Sequence, residues 1–598
     1  MAFFSHNSNP FSLFLFTYLI LLPTTMDIAE ASSIESCSVN TGPVIPTTPL
    51  VKFLQTLQET ALRTFGGINF DPKTYVDLSL KSSLSTTVDA FHKLQRNATG
   101  EISVQDLSKF IEDYFLGAGD DLVIYDPPDF VPKPEGFLPK VENSKVRAWA
   151  LEVHSLWKNL SRKVSHSVLN QPEFHTLLPL PGPVVIPGSR FREAYYWDSY
   201  WIIRVCRGLM ASKMYTTAKS ILTNLMSFID KYGHVLNAAR VYCTNRSQPP
   251  LLSAMVHELY KRTGDLELVR KALPALLKEY QFWNTGIHSV TIQDNRARSH
   301  KLSRYYAMWN KPRPESTTID KAWASKLLNS SSKQHFYREV ASTAESGWDF
   351  STRWMRNTSD ITTLSTTSIL PVDLNVFILR MELDIAFFAK VVGDNKTSES
   401  FLEASERRKQ AINSVFWNEE MRQWLDYWLE CGATPEGCQV WKASNQNHNT
   451  YASNYVPLWI NLFNSDTSLV KKVKKSLKSS GLVRAVGIAT SLANSGNQWD
   501  FPNGWAPLQH MIIEGLSSSE SEEARSLAKD IAIRWIRTNY VAYKKTGAMH
   551  EKYNVEKCGD FGGGGEYIPQ TGFGWSNGVV LALLEEFGWP KDLKIDCQ

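Results

Sequence analysis

Apolar residues recur along most of the chain at intervals of three and four, the spacing that lines one face of an α-helix. In 266–283 the set Val269, Ala272, Leu273, Leu276, Leu277, Tyr280 and Trp283 follows it, and Pro274 inside the set predicts a kink or break. Residues 214–232 repeat the pattern with Ala218, Ile221, Leu222, Leu225, Phe228 and Ile229, and Gly233 stands where a C-cap is expected. Residues 522–540 do so with Ala524, Leu527, Ala528, Ile531 and Trp535. Further helices are predicted over 48–65, 103–115, 144–164, 194–211, 249–264, 372–392, 398–417, 451–463, 467–480, 506–517 and 575–588, with few and short strands. The loops 182–193, 237–250, 305–318, 343–355, 494–507 and 558–575 are long and rich in Gly, Pro, Trp, Arg, Asp and Glu. Bundles ordinarily use short connections. Long loops loaded with charged and aromatic residues on a helical frame point instead to one shared site. The expected fold is all-α, helix pairs closed into an (α/α) barrel with the loops gathered at one end. No linker-like tract interrupts 144–590, so 144–598 is read as the barrel. Residues 32–143 are read as an N-terminal helical extension packing on it, with the Pro-rich 125–139 as a strap.

Composition narrows the class. Of 598 residues, 43% are hydrophobic and 21% charged, which is globular, and the formal net charge of +4 is spread too evenly for a nucleic-acid footprint. Residues 11–22, FSLFLFTYLILL, followed by Pro23 and Ala29-Glu30-Ala31, read as a secretory segment over 1–31. The first ten residues carry no Lys or Arg, so an uncleaved signal anchor in the membrane stands beside a cleaved signal peptide, and the expected location is secreted or at the cell surface. Sequons at Asn97, Asn159, Asn245, Asn329, Asn357 and Asn395 agree with export. Seven cysteines show no CxxC pair and no zinc spacing. Cys431 and Cys438 flank a turn-rich loop that a disulfide could close, and Cys206 lies in an apolar run that suggests burial.

Nucleotide, zinc-protease, calcium-loop and serine-hydrolase signatures are absent. The run Gly562–Gly565 lacks the Lys-Ser/Thr of a phosphate cradle and is followed by Glu566. Carboxylates remain as the acid–base groups. Three of them follow a tryptophan in long loops: Asp198 in PGSRFREAYYWDSYW, Asp349 in AESGWDFSTRWM and Asp500 in QWDFPNGWAP. An indole can stack on the apolar face of a sugar, and a carboxyl dried against it keeps its proton more readily. Any one such pair also fits a core tryptophan beside a helix-capping aspartate; three together favour a sugar site.

These motifs resemble the trehalase family of inverting glycoside hydrolases, and the secretory N-terminus looks like that of a plant enzyme. The resemblance rests on PGSRFREAYYWDSYW, with Ser189 where the family usually has glycine, on QWDFPNGWAP, and on GGGGEY at 562–567 with GFGWSNGV at 572–579. It spans about 180 to 580. It implies an (α/α)6 barrel and hydrolysis of α,α-trehalose to two glucoses, with no metal or organic cofactor. It implies Asp349 as general acid and Glu551, in MHEKYNV, as general base. It also implies a sugar-binding set of Arg190, Trp197, Asp198, Asn237, Arg246, Ser247, Gln248, Arg313, Pro314, Glu315, Gly347 and Glu566. The arginines are expected to clamp hydroxyls and to pair with Asp198 and Glu315, while Trp348 or burial shields the acid from them. On sequence alone, Glu551 beside Lys552 equally fits a surface ion pair, and Arg313 between two prolines a stiffened loop. A barrel glycosidase for another α-glucoside and a sugar sensor without catalysis are the competing functions.

Overall fold

The computed structural model describes residues 48–203, 212–430 and 438–597. From residue 144 onward its long helices, Ser330–Ser346 apart, alternate between two layers. In chain order they are α1 (Ser144–Leu160), α2 (Tyr196–Ile203), α3 (Tyr215–Tyr232), α4 (Leu252–Thr263), α5 (Leu266–Asn284), α6 (Val372–Val391), α7 (Asn395–Val415), a 3-10 segment Ala452–Trp459, α8 (Thr467–Ser479), α9 (Ala506–Ser517), α10 (Glu522–Thr546) and α11 (Gly574–Phe587). The inner elements α2, α4, α6, the 3-10 segment, α9 and α11 each touch the next, and α11 returns to α2, closing a ring of six. Outside it, α1 lies on α11, α3 on α4, α5 on α6, α7 on α6, α8 on the 3-10 segment and α10 on α9. That is the six-fold double ring expected.

Residue pattern decides the layer. Every residue of α2 is buried, and so are most of α6, α9 and α11, as befits helices enclosed on nearly all sides. By contrast α7 buries only a narrow stripe that includes Ala411, Ile412 and Val415. Four expectations need correction. The stretch 451–463 is a 3-10 segment and a short helix Asn461–Asn464, because Pro457 cannot donate to the α-helical ladder. The stretch 144–164 stops being helical at Leu160 and continues as strand Ser161–Val164. Pro274 does not break α5, whose buried residues on both sides of it hold the helix through. Finally, helix Ser330–Ser346 occupies a region without a predicted helix and takes the first residues of the expected loop 343–355. Its buried face mixes Glu339, Ser342, Thr343 and Glu345 with alanines, so periodicity of apolar residues could not reveal it.

In the extension, helices Pro49–Phe65, Pro72–Val76, Leu84–Lys93 and Val104–Tyr114 share a small core around Leu54, Phe91 and Phe110 that reaches Ala238, Tyr242 and Cys243 of the barrel loops. Beside it, buried Lys73 and Asp77 meet Glu193 and Arg240. The strap runs over the outer layer: Asp129 accepts from Thr217 N at 2.9 Å and Val131 O bonds His154 Nε2 at 2.8 Å. Cys558 and Cys597 form a disulfide, and Cys243 is buried with a free thiol. The secretory segment, Cys206 and the side chains of the proposed Cys431–Cys438 bridge lie outside the described residues. No helix among the described residues is long and apolar enough to cross a membrane.

The inner ring is tight enough to make a prediction. A Cβ on Gly515 of α9 would stand 2.6 Å from the backbone carbonyl of Leu458. Overpacking of this kind costs about 1–3 kcal/mol. Gly515→Ala should therefore lower the thermal midpoint by several degrees, and an unchanged midpoint would mean the ring is looser than described.

Candidate active site

Three inner elements aim their N-terminal ends at one cavity. Trp197 and Asp198 open α2, Trp505 precedes α9, and Phe573 with Trp575 opens α11. Gln248, Gly347, Trp499, Glu551 and Tyr567 complete its wall. A larger surface hollow of about 1230 Å³ beside Gly119 and Arg192 lies away from this group and has no acid–base pair. Aromatic rings dominate the wall. Trp499 stacks on Trp505 at 3.9 Å and on Trp348 at 5.2 Å, and lies 5.7 Å from Trp197, so all three Trp-Asp motifs converge.

The three aspartates do not share one fate. Asp198 lines the cavity, and burial, reinforced by the charges of Glu551 and Asp349, lifts its carboxyl well above the usual range. Asp500 turns away. Its oxygens accept from Ser351 Oγ (2.9 Å), Thr352 N (2.9 Å), Ser491 Oγ (2.8 Å) and Ser495 Oγ (2.6 Å), bracing the loop behind Asp349. It is a strut, not a sugar ligand.

Asp349 follows the helix Ser330–Ser346 through Gly347, whose φ of 73° ends the helix in the left-handed region. A Cβ at Gly347 would lie 2.9 Å from the Trp197 ring, so glycine serves both the turn and the close approach. Burial raises the Asp349 carboxyl to about 7, against the lowering pull of Arg313 and Arg246 and with help from Glu566. Trp348 is not the shield expected. It lies under the Arg353 guanidinium at 4.5 Å, stacked on Trp499. The arginines are instead neutralised by carboxylates of their own. Arg313 binds Asp320 (2.7 Å) and Glu566 (2.8 Å), Arg246 binds Glu315 (2.5 Å), and Arg353 binds Asp373 and Asp426 (2.7 Å each).

Glu551 is buried, at 1% exposure, not on the surface. Tyr567 Oη donates to its Oε1 at 2.7 Å and Lys552 Nζ lies 3.3 Å from its Oε2. Lys552 is itself fully buried, donating to Gln498 Oε1 at 2.8 Å. Glu551 and Asp349 belong to one electrostatic cluster, since each acts on both Asp198 and Tyr567.

The other implied site residues fall into several groups. Trp197, Asp198, Gln248 and Gly347 line the cavity. Arg246, Arg313, Glu315 and Glu566 form the ion pairs just described around Asp349. Arg190 does not pair with Asp198; it takes Asp71 of the extension through two bonds of 2.8 and 2.9 Å. Asn237, Ser247 and Pro314 serve the framework. The Asn237 amide donates to Ser247 O and Ala344 O, Ser247 Oγ to Val235 O, and Pro314 O accepts from Gln58. Ser189 adopts φ 38°, where glycine would be at ease, and its hydroxyl donates to Thr571 O at 3.1 Å. Sequence inspection missed Tyr567, Lys552 and Gln498, which sit within or beside the quoted motifs, and Asp71, which does not. It also missed Glu345. That carboxyl is raised by burial to about 7, but its oxygens accept from Ser247 N (2.9 Å) and Tyr306 N (2.8 Å), so it ties two loops to the helix and is closed to chemistry.

Comparison with known proteins decides the family. The trehalase family model matches residues 67–588. The chain belongs to the trehalase family. It is 58% identical over 561 residues to a trehalase of Arabidopsis thaliana, covering 93% of this chain and 89% of that one. It is 59% identical over 555 residues to a probable trehalase of Oryza sativa subsp. japonica (92% and 97%) and 37% identical over 523 to the trehalase of Homo sapiens (87% and 86%). Among solved structures it resembles the neutral trehalase of Saccharomyces cerevisiae, with a TM-score of 0.53 and 25% identity, covering 67% of this chain and 73% of that one. This trehalase-family chain is a glycoside hydrolase. Its match begins within the extension, so that segment is shared with the family.

Burial of Asp349 leaves a thermodynamic signature. A carboxyl raised in the fold holds its proton there more tightly than in the unfolded chain. Its stabilisation is complete below about pH 4 and lost as pH rises through about 7. Asp349→Asn lacks this loss. The variant should match the parent near pH 4 and exceed it by a few kcal/mol at pH 8 in chemical unfolding. Equal stability at both pH values would contradict the desolvation.

Proposed function

We propose that the chain hydrolyses α,α-trehalose to two glucose molecules, with inversion at one anomeric centre. The observation that supports this best is a desolvated carboxyl poised near 7 in one cluster with a second, hydrogen-bonded carboxylate, beside an aromatic-walled cavity in a trehalase-family chain. Asp349 gives its proton to the bridging oxygen as the bond to one anomeric carbon breaks. Water attacks that carbon from the opposite face, and Glu551 takes the proton that water releases. Inversion requires about 6.5–9.5 Å between the two carboxyl groups so that water fits between them. Asp198, whose carboxyl burial lifts above the usual range, is assigned to a hydrogen bond with a sugar hydroxyl. The aromatic wall of the cavity, which includes Trp197, Trp575 and Phe573, supplies apolar contact for the rings. Gln248 and the paired arginines Arg190, Arg246 and Arg313 are assigned to holding hydroxyls, where their fixed geometry favours the oxocarbenium-like transition state. Export is part of the same proposal. The sequon asparagines other than Asn245 are exposed, whereas Asn245 is buried beside Arg246, where no glycan fits.

Purified protein should release glucose from trehalose and leave maltose and sucrose untouched; equal cleavage of maltose would point to a broader α-glucosidase, and binding without glucose release to a sensor. Asp349→Asn and Glu551→Gln should each reduce kcat by about a hundredfold or more. Because the acid must be protonated, kcat/KM should fall as pH rises through about 7. Near-parental turnover in either variant removes that residue from its role. NMR of the first products should show α- and β-glucose in equal amounts, and two α anomers would mean retention.

A further inference from the structure

One unbroken line of contacts joins the N-terminal extension to Glu551. Asp71 caps the short helix Pro72–Val76 and accepts from both Nε and Nη2 of Arg190, at 2.8 and 2.9 Å. The Arg190 guanidinium lies over the Tyr567 ring, 4.6 Å from its centroid. Tyr567 Oη in turn donates to Glu551 Oε1 at 2.7 Å. Tyr567 follows the glycine run, which is held closely: a Cβ at Gly562 would stand 2.4 Å from Asn503 Oδ1, at Gly564 2.3 Å from Gly496 O and at Gly565 2.8 Å from Gln498 Oε1. Besides the Arg190 cation, its ring is met by Phe191, edge to face at 5.4 Å, and Lys552, 5.3 Å from the centroid.

We propose that Asp71 and Tyr567 are positioning residues for the reaction: Asp71 holds Arg190 against the Tyr567 ring, and the Tyr567 hydroxyl fixes which oxygen of Glu551 faces the water. This deepens the reading of Glu551 as the base and rests on it. A carboxylate free to turn about its last bond offers water either oxygen, or neither in line; a donor held on Oε1 removes that freedom. Asp71 has a second effect through charge. A guanidinium without its carboxylate would be drawn to the next one, and an Arg190–Glu551 pair would occupy the oxygens that water needs. The extension grips the opposite charged loop as well. Gln58 accepts from Thr318 N at 3.1 Å and donates to Pro314 O at 3.0 Å, next to Arg313 and Glu315.

A double-variant cycle tests the line. Asp71→Asn keeps a helix-capping side chain, so its thermal midpoint should stay near that of the parent, while kcat falls about tenfold and KM changes far less. Tyr567→Phe removes only the hydroxyl and should lower kcat by at least as much, the scale of a lost hydrogen bond to a charged group. If Asp71 acts through Tyr567, the double variant is no slower than Tyr567→Phe alone. Losses that multiply, an unchanged kcat in Asp71→Asn, or an effect confined to KM would overturn the proposal. Glu551→Gln separates it from its premise. An active Glu551→Gln variant removes the base itself, whereas an inactive one alongside multiplying losses removes only the line through Asp71 and Tyr567.

Discussion

Desolvation of one carboxyl is the constraint on which the rest depends. Asp349 sits within reach of Arg313 and Arg246, and two nearby cations would ordinarily hold an aspartate ionised. Burial prevails because the cations are already engaged: Arg313 with Asp320 and Glu566, Arg246 with Glu315. Their charge is balanced locally, so what reaches Asp349 is too weak to offset the loss of water, and the proton stays on to about pH 7. The ion pairs therefore do more than stiffen loops. They let positive donors stand near Asp349 without ionising it.

Geometry brings this balance to the right place. The inner helices bury most of their residues and pack as a ring, and the N-terminal ends of α2, α9 and α11 converge on one cavity. The charged loops meet over that end because they connect the same helices. Asp500 shows how the loops are kept in shape, since its carboxylate takes hydroxyls and an amide from the segment after Asp349. The extension completes the frame from outside through Gln58 and Asp71.

Much of this was legible in the residues. Outer helices such as α3 and α10 carry a clear apolar stripe, and the three tryptophan-carboxylate motifs come together beside one cavity. What escaped detection was of two kinds. Helix Ser330–Ser346 buries polar residues that are satisfied by other loops, so its pattern looks like that of a loop. Partnerships across long separations were also hidden. Arg190 finds Asp71, 119 residues away, instead of nearby Asp198, and Tyr567 reaches Glu551 across a turn. The three Trp-Asp pairs look alike in sequence, yet one acid lines the cavity, one belongs to the charged cluster and one is a strut, because only folding decides which way each segment faces.

The most direct test of the central claim is a site-resolved titration of Asp349 in the free protein. Carboxyl ¹³C NMR, with the signal assigned by its loss in Asp349→Asn, should give a midpoint near 7. A midpoint at or below about 4, the ordinary aspartate value, would mean that the arginines, not burial, control the acid, and the proposed proton donor would be ionised at the pH where it must act.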